Sequence, residues 1–242
     1  MGCDIHIRCE VKRNNKWELN TKEIFPNPYY KLSLNDDFEW TENEFTNTPD
    51  GSRNYDWFSI LADVRNGNMF SVISEPRGIP NDASDDWKEE VERKRLDMHS
   101  HSYLTIEDFD DFNWNKLTMK FGIISLNEYD VIRKTTNPPT SWSNYIAGDD
   151  IIIVEPTLAN KILKNPEIKV SVTDTGFLFE EKIVTIDKKN GEPANKFNIF
   201  VYYEWSVRYS EWFDSKIKNT IEPMKKLKEE YDDVRIVFAF DN

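Results

Sequence analysis

The chain reads as an α+β fold: a single mixed or antiparallel sheet holds both its first and its last strand, helices pack on that sheet, and long irregular loops gather at one end. Three observations lead there. Residues Asp4 to Lys12 alternate, with Asp4, His6, Arg8 and Glu10 on one face and Cys3, Ile5, Ile7, Cys9 and Val11 on the other, the pattern of a half-buried strand. Val234 to Phe240 is a run of Val, Ile and Phe bounded by charge, as in a strand buried on both faces. Between them lie helical spacings, turn-rich loops and β-branched runs without an internal repeat.

Taken in order, Arg13-Asn14-Asn15-Lys16 has turn chemistry, and Trp17-Glu18-Leu19 reads as the return strand of a hairpin. Thr21 to Arg53 is rich in Asn, Asp and Pro and reads as a long loop. Tyr55, Phe58, Leu61 and Ala62 sit at helical spacing, so a short helix spans Tyr55 to Val64 and stops at Arg65-Asn66-Gly67. Ser74 to Ser84 carries Pro76, Gly78 and Pro80 and is irregular. Asp86-Trp87-Lys88-Glu89 opens a charged helix to about Leu96, Thr105 starts another through Trp114, and a third runs from Leu126 to Lys134, closing before Pro138-Pro139.

The second half is richer in β-branched and aromatic residues, and Ile151–Val154, Ile168–Val172, Phe177–Ile186 and Phe197–Val207 are expected strands. Ser210 to Tyr231 carries apolar residues at three- and four-residue steps, a helix that Pro223 should kink or divide. Residues 1–242 are read as one domain with elaborated loops. The change of character near Gly148 marks the place for a subdivision.

Composition narrows the function classes. At 242 residues, with 38% hydrophobic and 14% aromatic side chains, the chain can bury a core built largely of rings, which excludes a wholly disordered protein. No window approaches the roughly 20 apolar residues of a membrane span, and no signal-type stretch opens the chain, so a cytoplasmic protein without membrane contact is expected. Cys3 and Cys9 lie about 20 Å apart along one strand, too far for a disulfide. A net charge of −13 argues against nonspecific nucleic-acid binding. It leaves room for a local anion pocket, and equally for an acidic surface that imitates nucleic acid.

Several sequence blocks carry a resemblance. Met-Gly-Cys-Asp-Ile-His at residues 1–6, Arg53-Asn54-Tyr55 leading into Ile60-Leu61-Ala62-Asp63-Val64-Arg65-Asn66, the block Pro76 to Ser84, His99-Ser100-His101-Ser102-Tyr103-Leu104-Thr105 and Val234 to Asn242 resemble, in order, motifs of a group of uncharacterised bacteriophage proteins. The likeness spans both ends and is weakest across Trp142 to Val207. It implies phage origin and an accessory, host-directed role, such as counter-defence in the cytoplasm of an infected bacterium. It assigns no catalytic residue.

All three histidines fall in two clusters. Strand periodicity puts Asp4 and His6 side by side, and an extended His99-Ser100-His101 would align its two imidazoles. Imidazole nitrogen with carboxylate oxygen suits zinc or manganese, with Asp63, Asp82, Asp85, Asp97 and Asp241 as further carboxylates. The competing structural reading has His6 bonding at a strand end and His99 and His101 holding a turn with Ser100 and Ser102. Arg65-Asn66-Gly67 and Arg77-Gly78 place arginines in loops able to grip a phosphate bidentately, or else to pair with the many acids. Trp57, Trp87, Tyr103 or Trp114 offer stacking surfaces for a base unless they belong to the core. Cys3 and Cys9, on the apolar face, are not reactive thiols.

The leading expectation is a phage accessory protein that binds and sequesters a small phosphorylated or nucleotide-like ligand in a polar pocket formed by Asp4, His6, Arg65, Asn66, Arg77, Asp82, His99 and Asp241. The alternative is a divalent-metal hydrolase of phosphoesterase or amidohydrolase type, with Asp4, His6, His99 and His101 on zinc or manganese. A third reading is an acidic protein-interaction or nucleic-acid-mimicking inhibitor, acting on a host defence component.

Overall fold

The computed structural model describes residues 2–30, 43–94, 96–148, 150–174 and 182–241. They form two compact units: residues 1–116 with 208–242, and an inserted unit of residues 117–207. Gly148 therefore lies within the second unit.

Unit 1 opens with the expected hairpin, β1 (Asp4–Arg13) and β2 (Lys16–Leu19). Asn14 and Asn15 make its turn with positive φ, a conformation asparagine tolerates. Two short strands, β3 (Phe25–Pro26) and β4 (Phe45–Thr46), pair within the segment read as loop, part of which lies outside the described residues. Then follow helices α1 (Tyr55–Ala62) and α2 (Asp85–Arg93), strand β5 (Met98–Thr105) and helix α3 (Ile106–Asp111). Asn54, Ser84 and Thr105 cap the three helices.

Unit 2 comprises β6 (Leu117–Ser125), α4 (Leu126–Thr135), β7 (Ile151–Val154), α5 (Pro156–Lys164), β8 (Lys169–Asp174), β9 (Lys182–Ile186), β10 (Glu192–Pro193) and β11 (Asn198–Arg208), whose final residue returns to unit 1. Its strands build two three-stranded sheets, β6-β11-β7 and β10-β8-β9, instead of joining the sheet of the terminal strands. Residues 175–181 of the expected strand Phe177–Ile186 lie outside the described residues. Helix α5 and strand β6 have no counterpart in the sequence reading. Pro156 at the first position of α5 is the signal for that helix.

The chain then re-enters unit 1 through α6 (Tyr209–Trp212), α7 (Asp214–Lys216), a π-helical turn (Ile217–Ile221), α8 (Glu222–Lys228) and the last strand, β12 (Asp233–Asp241). Pro223 stands at the second position of α8 and leaves the helix continuous: it has no N–H for an i→i−4 bond, and the turn before it widens to the π form while the junction residues keep right-handed helical angles.

The principal sheet has the order β2-β1-β12-β5 and is antiparallel throughout, so the first and last strands share one sheet as expected and are, further, direct neighbours in it. The register sets Asp4 opposite Asp241, His6 opposite Ala239 and Glu10 opposite Arg235. One face packs Ile5, Ile7, Phe238 and Phe240 on Phe58 and Leu61 of α1 and on Met224 and Leu227 of α8. The other packs Val237 and Ala239 on Trp87 and Val91 of α2. Covered on both sides, β12 is apolar almost throughout.

Arg235 breaks that apolar run and is nevertheless buried. Its Nε donates to Glu10 Oε2 at 2.7 Å and its Nη1 to Asp82 Oδ1 at 2.9 Å, while its guanidinium lies 3.9 Å from the centre of the Trp17 ring. Trp17 Nε1 donates to Asp82 Oδ2 at 3.0 Å, and Ser84 N to Glu10 Oε1 at 2.7 Å. The irregular Pro76–Ser84 block is thus riveted to the sheet. Gly78, at φ +78°, donates its N–H to the His101 carbonyl at 2.9 Å.

Candidate functional site

At the end of the sheet where β1 begins and β12 finishes, the polar face of β1 carries the residues that periodicity placed there. Asp4 N donates to Asp241 Oδ1 at 3.2 Å, and His6 Nε2 meets Asp241 Oδ2 at 2.9 Å. The other ring nitrogen, His6 Nδ1, lies 3.0 Å from Lys94 Nζ. Lysine can only donate here, so Nδ1 accepts and Nε2–H donates to Asp241. The two partners fix the tautomer.

Around this core of contacts lie more cations. Arg53 grips Asp4 bidentately, Nε to Oδ1 and Nη2 to Oδ2, both at 2.8 Å. That fork holds the Asp4 carboxyl below its ordinary range, and both side chains remain about half exposed. A Cβ on Gly2 would meet the Arg53 guanidinium, so the glycine makes room for it. The Arg65 side chain hydrogen-bonds the Cys3 thiol; burial raises that thiol, and the guanidinium opposes the rise. Further along the same face Arg8 Nη2 donates to Glu90 Oε1 at 3.0 Å. Arg8, Arg53 and Lys94 thus meet Glu90, Asp4 and His6 on this face, in a protein of net charge −13.

Of the expected pocket, Asp4, His6 and Asp241 meet at this end, while Arg65 reaches the Cys3 thiol of the apolar face; the rest are engaged elsewhere. Arg77 forms a bidentate pair with Asp108 at 2.7 and 2.6 Å and lies over Tyr103. Burial opposes ionisation of Asp108, but the Arg77 hydrogen bonds prevail and keep its carboxyl below the usual range. Asp82 belongs to the Arg235 network. Asn66 closes its own loop, donating to the Phe70 carbonyl at 2.8 Å and accepting the Phe70 N–H at 2.7 Å.

His99 sits on the far face of the sheet. It pairs with Phe240 and stacks on that ring, whereas His6 pairs with Ala239 and faces the opposite way. Ser100 and His101 together oppose Ala239 in a bulge, with Ser100 at φ +50°. The bulge breaks the alternation on which a shared face for His99 and His101 rested. The proposed metal set of Asp4, His6, His99 and His101 is accordingly not assembled, and no group of three or more His, Cys, Asp or Glu among the described residues could hold a metal ion.

The expected stacking aromatics are also corrected. Trp57 and Trp87 are buried in the cores, Trp114 packs on Phe112 and Phe213 while donating to the Phe109 carbonyl, and Tyr103 is covered by Arg77 and Arg235. Cys3 and Cys9 are free and buried, as their apolar face implied.

Sequence reasoning missed Arg53 and Lys94. Arg53 and Gly2 both stand in the resemblance blocks, and that pairing was an available signal; Lys94, at the end of a charged helix, carried none. No helix among the described residues is long and apolar enough to cross a membrane. The chain matches no family model, and no curated protein or solved structure is significantly similar to it.

Proposed function

We propose that this end of the sheet binds a small phosphorylated or nucleotide-like ligand, and that the protein sequesters that ligand. The observation that carries the reading is the half-exposed Arg53–Asp4 fork in line with the Asp241–His6–Lys94 contacts, in a strongly acidic chain. The Arg53–Asp4 fork is half exposed, so a phosphate can exchange for the Asp4 carboxylate at the same donors with the same bidentate geometry. Lys94 supplies further charge, and His6, held as an Nε2–H tautomer by Asp241, takes part through the Lys94 ammonium it orients. The bacteriophage resemblance supports an accessory role against a host signal in the cytoplasm of an infected cell.

The test is calorimetric titration with inorganic phosphate, mononucleotides and cyclic nucleotides, at low salt and again at about 0.5 M salt, where exposed pairs are screened. Binding that weakens at least tenfold in Arg53→Gln and in Lys94→Gln is the expected result. Silence across the panel, or affinity indifferent to both substitutions, refutes the reading.

A further inference from the structure

Two of the eight glycines follow an asparagine, Asn66-Gly67 in unit 1 and Asn190-Gly191 in unit 2. In such a pair the glycine nitrogen, once deprotonated, can attack the asparagine Cγ, because no glycine side chain crowds the approach and glycine reaches backbone angles closed to other residues. The two pairs share this chemistry and have opposite surroundings.

Asn66 is held at both polar atoms of its side chain. Its Nδ2 donates to Asp63 Oδ1 at 2.6 Å and to the Phe70 carbonyl at 2.8 Å, and its Oδ1 accepts the Phe70 N–H at 2.7 Å. The nucleophile is engaged as well, since Gly67 N donates to the Arg65 carbonyl at 2.8 Å. Asn190 instead stands exposed in the turn between β9 and β10. Asp187 Oδ1 accepts the backbone N–H groups of Lys189 and Asn190 at 2.8 and 3.0 Å, which shapes that turn. Among the described residues the Asn190 side-chain amide and the Gly191 N–H have no hydrogen-bond partner, so electrophile and nucleophile are both free to meet.

We propose that Asn190 is a site of spontaneous modification, converting through a cyclic imide with Gly191, and that the fold protects Asn66 from the same reaction. The Gly191 nitrogen gives its proton to hydroxide and bonds to Asn190 Cγ; the Cγ–Nδ2 bond breaks, and ammonia leaves with a proton from water. Water then opens the ring. Breaking the new N–Cγ bond gives aspartate, and breaking the original peptide bond gives isoaspartate, whose main chain runs through Cβ and Cγ. Either product is asparagine plus water minus ammonia and adds one negative charge. Only isoaspartate lengthens the main chain, and Gly191 has no slack for it: a Cβ there would lie 2.6 Å from the Val170 carbonyl oxygen, so the chain already runs close against β8. Glu192 and Pro193, the next residues, pair with Val170 and Lys169. The added backbone carbon pushes on this approach and loosens β10 from its sheet.

The experiment ages the full chain at pH 8.5, in buffer and in denaturing urea, and follows the replacement of NH2 by OH by mass spectrometry of the peptides that hold Asn66 and Asn190. Native protein should convert Asn190 at least tenfold faster than Asn66. In urea, where only the shared Asn-Gly chemistry remains, the two rates should come within about threefold. Hydrogen exchange at Val170 and Glu192 should quicken in aged protein, and in neither fresh Asn190→Asp nor aged Asn190→Gln, exposed changes that keep the main-chain length. A native ratio below tenfold, a ratio that persists in urea, or aged protein with unchanged exchange overturns the assignment.

Discussion

Replacing Arg235 by methionine tests the account of what anchors the Pro76–Ser84 block. Glu10 and Arg235 are 0% and 3% exposed, so the substitution leaves a buried carboxylate without its cation. Removing one member of a buried pair costs about 3–5 kcal/mol. The loss includes the desolvated contact over Trp17, itself worth about 2 kcal/mol. With a urea m-value of about 2 kcal/mol/M, the midpoint falls by about 2 M. Because the chain has two units, unfolding should be followed by hydrogen exchange of the β12 amides, which report unit 1. The double variant Glu10→Gln/Arg235→Met removes both charges and should be at least about 1 kcal/mol more stable than Arg235→Met alone. A single-variant cost under about 1 kcal/mol, or strictly additive losses, refutes the reasoning.

Three other outcomes are expected. Burial, and then the neighbouring His99, hold His101 below its ordinary value of 6.5, so as pH falls through about 6.5 the unfolded chain takes up a proton that the native state resists. Stability should decline over that interval down to the native value, and chemical denaturation at pH 7.5 and 5.5 should show a smaller decline in His101→Phe. In unit 2 a Cβ on Gly122 would lie 3.0 Å from Trp142 and 3.3 Å from Trp205, so Gly122→Ala should destabilise that unit by about 1–3 kcal/mol, read by hydrogen exchange of the β11 amides. Burial pushes both thiols up, Cys9 furthest, so a thiol reagent at pH 8 should label native protein slowly, at Cys3 before Cys9, and unfolded protein at once.

The principal sheet was legible because its two defining strands carry opposite and unambiguous patterns: β1 alternates, being half buried, and β12 is continuously apolar, being covered twice. The capped helices were legible for a similar local reason, and their ends differ from expectation by a few residues. Helix α5 was hidden because its first turn follows directly on the apolar run Ile151–Val154 and offers no side-chain cap. Within the site, Asp4 and His6 followed from period two alone. His99 did not, since one extra residue at Ser100–His101 reverses which face a strand residue presents, and nothing local in the sequence announces that bulge. Arg77 and Asp82 carry the same charge whether they meet a ligand or one another's neighbours. Only the tertiary placement of Asp108 and Arg235 decides between the two.

The position of β12 between β1 and β5 imposes an order on biosynthesis. Residues 117–207 form a contiguous unit and can close while later residues are still being made. Unit 1 cannot: its central strand is translated after everything it pairs with, so β1 and β5 must wait, edges open, until residues 233–241 leave the ribosome. Such long-range closure is slow and leaves apolar strand edges exposed meanwhile. A nascent chain arrested before Asp233 is therefore expected to hold a finished insert within an unfinished host.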